Sequence, residues 1–380
     1  MGLKHRAYLS LGSNLGNRFA MLQKAVLLLQ QRAGEVLRVS AVYQNPAAGF
    51  EGNDFFNTAL LLATHLSPEE LLSHILQLEK EFGRVRGDQG YQSRTLDIDI
   101  ILYDDEIIQK DNLSIPHPLM HERNFVLKPL ADIAPQLYHP VLNNDIRNLL
   151  QQCSDRNSLT KTKHKLFKNR LELFSQLQFM AIEGNIGAGK TTLSKMIATD
   201  FNAKLVLERF ADNPFLPKFY EDQTRYAFPL EMSFLADRYQ QFTDDTSQFD
   251  LFKNFMVSDY DIFKSLIFAK ITLQADEFEL YRKLFTFMYR EVKKPEVYLY
   301  LYQDTEQLLA NIKKRGRDYE KNISADYLEK INRGYLDFLK SHPQHNSLIL
   351  NMNDVDFVNN ASDYEAILNK IEDHVLHTYF

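Results

Sequence analysis

Residues 179–192 read FMAIEGNIGAGKTT, and their reading decides the fold of the second half of the chain. Phe179 to Gly184 is an apolar run of strand length, and KTTLSKMIATDF from Lys190 onward has the make-up of a helix. Between them Gly184, Asn185, Gly187, Ala188 and Gly189 form a loop that ends in Lys190, Thr191 and Thr192. This is the complete G-x4-G-K-T pattern, set between a strand and a helix as its geometry requires. The glycines let backbone N–H groups turn inward around a β-phosphate, Lys190 bridges β- and γ-oxygens, and the Thr191 hydroxyl ligates Mg²⁺. A nucleoside triphosphate site follows.

Outward from this loop, KLVLERF and EVYLYLYQD read as strands, and helical sequence fills most of the rest. Strands alternating with long helices imply a parallel sheet covered on both faces. The first half has another rhythm. RAYLSLGSN is a strand running into a glycine turn, RFAMLQKAVLLLQQRAG a helix, and GEVLRVSAVYQN and FFNTALLLATH are strands. SPEELLSHILQLEKEFG is a helix capped by Ser67, with Pro68 just inside and Glu70 at the third position. RTLDIDIILYDD, residues 94–105, closes a β-α-β-β-α-β order, which suggests one sheet with helices packed on it. In that last strand Asp97 and Asp99 share a face about 7 Å apart. Two carboxylates so close need a cation between them.

The chain has 380 residues, long for one domain, with 44% hydrophobic and 25% charged residues and a net charge of −6. That balance gives no basic face for a nucleic acid. No run reaches the roughly 18 apolar residues of a membrane helix, and the start has no signal-like apolar run. The single cysteine, Cys153, rules out an internal disulfide and fits a reducing cytoplasm. Residues 154–177, polar and then basic, read as a linker between a domain at 1–153 and another at 178–380.

Beyond these local patterns, IEGNIGAGKTTL, LERFADNPFLPKFYED, LEMSFLADRYQQ, VSDYDIFKSLIFAK and IKKRGRDYE resemble, in order, the deoxyribonucleoside kinase family and within it the bacterial deoxyadenosine and deoxyguanosine kinases. The resemblance implies that Glu208 is the base for the sugar 5′-OH and that Tyr220 and Glu320 hold the 3′-OH. It implies that Arg238 and Asp259 contact the nucleobase, that Glu231 stands where animal members have a base-reading Gln, and that Arg315 and Arg317 are lid arginines over the phosphates. It implies one Mg²⁺ and, commonly, a homodimer. Animal members carry Glu-Arg-Ser before the block around Asp259, and here the matching stretch is Lys253 to Phe255, KNF. Arg209 is the candidate replacement for that arginine. A carboxylate near the P-loop suits an alcohol attacking a γ-phosphate in its own right.

The first half resembles 6-hydroxymethyl-7,8-dihydropterin pyrophosphokinase of folate synthesis in AYLSLGSNLGNR, NDFFNTAL, LEKEFGRVR, SRTLDIDIILYDD and IPHPLMHERNFVLKPL. That family moves a diphosphate from ATP to the pterin's hydroxymethyl group and releases AMP. The resemblance implies two Mg²⁺ ions on Asp97 and Asp99, which supplies the cation the strand needs. Phe55 and Phe125 would sandwich the pterin and Asn57 would bond its edge. Arg84, Arg86, Arg94 and His117 would meet or close over the triphosphate, with Glu79 and Tyr91 beside the nucleotide. Gln92 and Ser93 depart from the family's usual aromatic-Gly-Pro-Arg loop. The expected fold is therefore an N-terminal α+β ferredoxin-like sandwich joined to a C-terminal α/β P-loop kinase. Two activities are expected from one cytoplasmic chain, with deoxyadenosine as preferred nucleoside and deoxyguanosine second. The alternative is one active half joined to a binding or oligomerisation module.

Overall fold

β1 (His5–Ser13) is buried from its third residue onward, because helices cover both faces of the sheet it centres. The computed structural model describes residues 4–47, 52–83, 93–209, 213–247, 252–290, 292–317, 320 and 323–379. By internal contacts the chain divides between Leu173 and Phe174 into two units.

In the first unit β1 pairs antiparallel with β4 (Phe55–Thr64) on one side and β5 (Asp97–Tyr103) on the other. β2 (Glu35–Val39) and β3 (Tyr43–Asn45) both pair antiparallel with β4, so the expected single strand is two short ones. Ala7, Leu9, Leu11, Leu60, Leu62, Ile98 and Ile100 face α1 (Arg18–Arg32) and α2 (Pro68–Glu81). Ala59, Leu61 and Ile101 face α3 (Asn124–Ile133) on the opposite side. The cap of α2 forms as its sequence implies. The Ser67 hydroxyl accepts from the Glu70 N–H at 3.3 Å, and the Glu70 carboxylate accepts from the Ser67 N–H at 2.8 Å.

The segment 154–177 departs from the expected linker. Thr160–Lys161 adds a strand beside β3. The His164 ring stacks on Phe19 at 4.8 Å, and Leu166 and Phe167 are buried. Gln23 donates to the Phe167 carbonyl at 2.8 Å and accepts from its N–H at 2.7 Å. The first unit thus runs to Leu173. A basic average composition concealed the few apolar side chains that anchor the segment.

In the second unit five parallel strands run in the order Lys204–Val206, Met256–Ser258, Phe179–Gly184, Val297–Tyr302, Ser347–Asn351. Helices pack on this sheet, and the P-loop strand lies at its centre with every residue buried. Met256–Ser258 and Ser347–Asn351 carry no clear strand signal in a helix-rich context. The first is three residues long and is held by neighbours on both sides.

Burial of Leu166 and Phe167 contributes about 1.5–3 kcal/mol for each side chain. A fragment ending at residue 155 should therefore melt roughly 6–24 °C below one ending at Leu173. Equal melting temperatures by circular dichroism would show that the segment adds nothing to the first unit.

Candidate active sites

The first site grows out of one row of residues across the sheet. Tyr43, Asn57, Gly12 and Asp97 lie opposite one another on β3, β4, β1 and β5. Directly opposed residues share a face, and here it is the face covered further along by α3. Phe55 and Asp99, each two residues from a member of that row, share it too. Asn57 and Asp97 are two strands apart, about 10 Å. Gly12 keeps the space between them open: a Cβ there would stand 3.0 Å from Asn57 Oδ1 and 3.7 Å from the Phe55 ring. Phe125, in the first turn of α3, packs half-buried against the same face.

Asp97 accepts from Arg94 at 2.6 Å. Asn14, just past β1, accepts from the Arg94 backbone N–H at 2.6 Å, and its own N–H donates to the Arg94 carbonyl at 3.0 Å. His117 donates its N–H to the Ile101 carbonyl, and its Nδ1 accepts from the Leu119 N–H. Burial, helped by the positive charge of Arg123, pushes its pKa down to about 4, so the ring is neutral at neutral pH. Glu79 is buried and accepts from the Ile98 N–H at 2.9 Å, which ties α2 to β5 between the two aspartates. The expectation for Glu79 was a place beside the nucleotide, and this bond gives it a hold on the aspartate strand. Arg84, Arg86 and Tyr91 lie outside the described residues. Asn14, Asn45 and Gly12 were not singled out in the sequence, yet Asn45, buried beside that row, accepts a hydrogen bond from the buried Asn57.

The second site sits at the end of the P-loop strand. Gly187 and Gly189 adopt φ of +87° and +88°, and a Cβ on Gly187 would meet the Leu308 carbonyl oxygen at 3.0 Å. Lys190 donates to the carbonyls of Gly184 and Asn185 at 2.9 and 2.8 Å. Burial, with Lys264 nearby, lowers its pKa to about 8. One cleft is lined by Gly187 to Thr192, Asn311, Arg315 and Phe357. A neighbouring pocket is lined by Lys190, Glu208, Tyr220, Glu231, Arg238 and Glu320, among others. The two share the P-loop, Arg315 and Arg317, as a donor site and an acceptor site must.

The Glu208 side chain is only 9% exposed and is doubly paired, to Arg238 and to Lys264, each at 2.6 Å. Burial alone would raise its pKa, but these two cations hold it well below the ordinary carboxylate range. Arg238 donates to Glu208 and, at 2.7 Å, to Ser265, and it lines the pocket in which a nucleobase contact was expected of it. Asp259 departs further. One carboxylate oxygen accepts from the Thr191 hydroxyl and the other from the Glu208 N–H at 2.8 Å. It sits directly after the strand Met256–Ser258, so one oxygen holds the P-loop and the other the backbone of Glu208, while the residue still lines the acceptor pocket. Arg209 is exposed and does not line the pocket. The second cation on Glu208 is Lys264, which sequence reading passed over inside DIFKSLIF. Glu320 is buried and takes Arg315 bidentately, with Arg317 at 3.4 Å. Glu231 is also buried. It accepts from Thr272 at 3.0 Å, one of its oxygens has no partner, and burial raises its pKa to about 7.

Residues 180–376 match the deoxynucleoside kinase family, and residues 8–135 match the 7,8-dihydro-6-hydroxymethylpterin-pyrophosphokinase family. The deoxyguanosine kinase of Bacillus subtilis (strain 168) is 37% identical over 202 residues, covering 52% of this chain and 98% of that protein. The 2-amino-4-hydroxy-6-hydroxymethyldihydropteridine pyrophosphokinase of the same organism is 44% identical over 133 residues, covering 34% of this chain and 79% of that protein. A solved deoxyadenosine kinase from M. mycoides, with bound dATP, aligns at 24% identity and a TM-score of 0.45, over 51% of this chain and 99% of that one. The chain belongs to both families.

A pterin pyrophosphokinase domain is thus fused to a deoxynucleoside kinase domain, and both families use ATP with Mg²⁺. The residues present fit that ion. Asp97, Asp99, Thr191 and Asp259 offer only hard oxygen donors. No cluster of three or more acidic, His or Cys side chains among the described residues could hold a metal unaided. Mg²⁺ held by few side chains completes its shell with phosphate oxygens and water. Because Asp259 braces Thr191, Asp259→Asn in the kinase domain should raise the Mg²⁺ concentration for half-maximal ADP formation about tenfold or more. Nucleoside preference should stay as it was. A changed preference with an unaltered Mg²⁺ requirement would return Asp259 to the nucleobase.

Proposed function

We propose that this chain is a bifunctional enzyme. Its first domain transfers a diphosphate from ATP to 6-hydroxymethyl-7,8-dihydropterin, releasing AMP, a step of folate biosynthesis. Its second transfers the γ-phosphoryl group of ATP to the 5′-OH of a deoxyribonucleoside, releasing ADP, a salvage reaction. The observation that supports this most directly is that Lys190, Glu208 and Glu320 line one pocket, while Asn57 and Asp97 stand in one row of a different sheet.

In this reading the antiparallel order β3-β4-β1-β5 is a ferredoxin-like sandwich. Phe55 and Phe125 enclose the pterin, Asn57 binds its edge, and Asp97 and Asp99 hold two Mg²⁺ ions. Arg84, Arg86, Arg94, His117 and Tyr91 serve the triphosphate. In the second domain Thr191 holds one Mg²⁺, Glu208 receives the 5′-OH, Tyr220 and Glu320 hold the 3′-OH, and Arg315 and Arg317 close over the phosphates. The kinase domain pairs with a second copy of itself. Leu280, Leu284 and Phe287, exposed along one side of the helix Ala275–Tyr289, support that pairing, and sedimentation of the intact chain reads its mass. A cytoplasmic setting accords with a single, buried cysteine.

The test is a panel of pterin and deoxynucleosides with ATP, scoring AMP against ADP. Asp97→Ala should abolish AMP formation and spare ADP formation, and Lys190→Ala should do the reverse. Loss of both from either change, in a folded protein, would overturn the two-site reading. AMP or ADP alone from the wild-type chain would favour one active half and one binding module.

Deoxyadenosine is the proposed first substrate of the kinase domain and deoxyguanosine the second. Glu231 decides between them through its proton. A neutral carboxyl both donates and accepts, which matches the N1 acceptor and N6 donor of adenine. An ionised carboxylate only accepts, which matches the N1–H and N2–H donors of guanine. Because burial lifts the Glu231 pKa to about 7, the ratio of kcat/KM for deoxyadenosine over deoxyguanosine should fall as pH rises through that value. In Glu231→Gln the ratio should be flat. A flat ratio in the wild type would remove Glu231 from base selection.

A further inference from the structure

Glu208 leaves little of its carboxylate unclaimed. Arg238 donates to Oε1 twice, from Nε at 3.0 Å and from a terminal nitrogen at 2.6 Å, and so fills both lone pairs of that oxygen. Lys264 donates to Oε2 at 2.6 Å and takes one of the two there. One acceptor position remains, and it is on the oxygen that Lys264 holds.

Lys264 is kept against two local preferences. It is the first residue of the helix Lys264–Thr272, where the helix dipole disfavours a cation. Its side chain is only 9% exposed, and burial disfavours an ammonium as well. Among the described residues its Nζ has a single protein acceptor, Glu208, and it lies 5.4 Å from the Phe268 ring centroid one turn along the same helix. Residues that break local rules in a well-packed setting tend to be functional.

We infer that Lys264 is a positioning residue for phosphoryl transfer, fixing Oε2 of Glu208 as the atom that receives the 5′-hydroxyl. The inference rests on the deoxyribonucleoside kinase reading of the pocket. The 5′-O–H donates to Oε2, and its oxygen attacks the γ-phosphorus. The bond from that phosphorus to the β–γ bridging oxygen breaks, ADP departs with the bonding pair, and the proton passes to Oε2 and then to water. A carboxylate stabilised by two cations is a weak base, so its proton moves late, when the 5′-oxygen has already bonded to phosphorus. A loose transition state permits that order.

The charged and titratable groups around Glu208 come from four elements. They are Arg238 and Glu231 on the helix Gln223–Ser247, Lys264 on its own helix, Lys190 in the P-loop, and Asp259 with Tyr260 after the strand Met256–Ser258. Of these side chains only Arg238 and Lys264 bond to its carboxylate, so removing Lys264 halves the neutralising charge in contact with it.

The test is kcat and KM for ADP formation with the best deoxynucleoside, read separately. Lys264→Met, which cannot donate to Oε2, should lower kcat about tenfold or more and leave KM for the nucleoside within about twofold. Lys264→Ala carries the test if the Met variant does not fold. Lys264→Arg, which still donates to Oε2, should recover most of kcat. In a Glu208→Gln background, Lys264→Met should add little, because both changes act through one carboxylate. An unchanged kcat in the folded Met or Ala variant, a loss confined to KM, or losses that simply multiply, would overturn the role of Lys264. A wild-type chain that forms no ADP with any deoxynucleoside would overturn the kinase reading instead.

Discussion

A carboxylate buried between two cations sets the geometry of the kinase pocket. Glu208, Arg238 and Lys264 come from a loop and two helices that are far apart in sequence, and each is nine-tenths or more buried. Ions taken from water are costly unless each finds a partner of opposite charge, and removing one member strands the others. The three elements are therefore tied together at the point where the acceptor must sit. Glu208 also donates its backbone N–H to Asp259, which braces Thr191. The acceptor end and the phosphate end of the pocket are in this way linked through two adjacent side chains.

The two domains meet the same triphosphate with different backbone devices. The kinase domain uses a loop whose left-handed glycines face close neighbours, so that peptide N–H groups can surround phosphate oxygens. The pyrophosphokinase domain has no such loop in its described residues. It offers an edge strand, β5, whose alternation sends Asp97 and Asp99 to one face while Ile98 and Ile100 anchor the other in the core. Gly12 on the neighbouring strand keeps the cleft open between the aspartates and Asn57. One site is built from backbone donors and the other from side-chain acceptors.

Burial divides the acids of the kinase domain into two kinds. Glu208 is ionised because cations touch it. Glu231 and Asp261 are pushed up to about 7 because burial outweighs the opposing charges and hydrogen bonds nearby. Glu183, under the P-loop, is raised by burial too, and it accepts from the Asp261 N–H and the Tyr335 hydroxyl. The same residue type thus serves as a fixed anion at one position and as a protonatable group at another. Only the neighbours differ.

The sequence by itself determined the P-loop, the capped α2 helix and the strand of alternating aspartates, because each is a local pattern in which spacing dictates geometry. Ser67, Pro68 and Glu70 form their cap from contacts within four residues, and Gly184 to Thr192 form their loop in the same way. Membership of two families was legible for the same reason, since ordered short blocks carry it. Tertiary structure alone decided what crosses between elements. Asp259 follows a strand too short to be read, so its place beside Thr191 waited on the sheet order. Lys264 lies within an apolar helical run and becomes notable only when Glu208 is found against it. Leu166 and Phe167 vanish in a basic average until Gln23 and the core beneath α1 supply their partners. Local patterns are written in consecutive residues, whereas burial and charge pairing are set by side chains that the chain brings together only on folding.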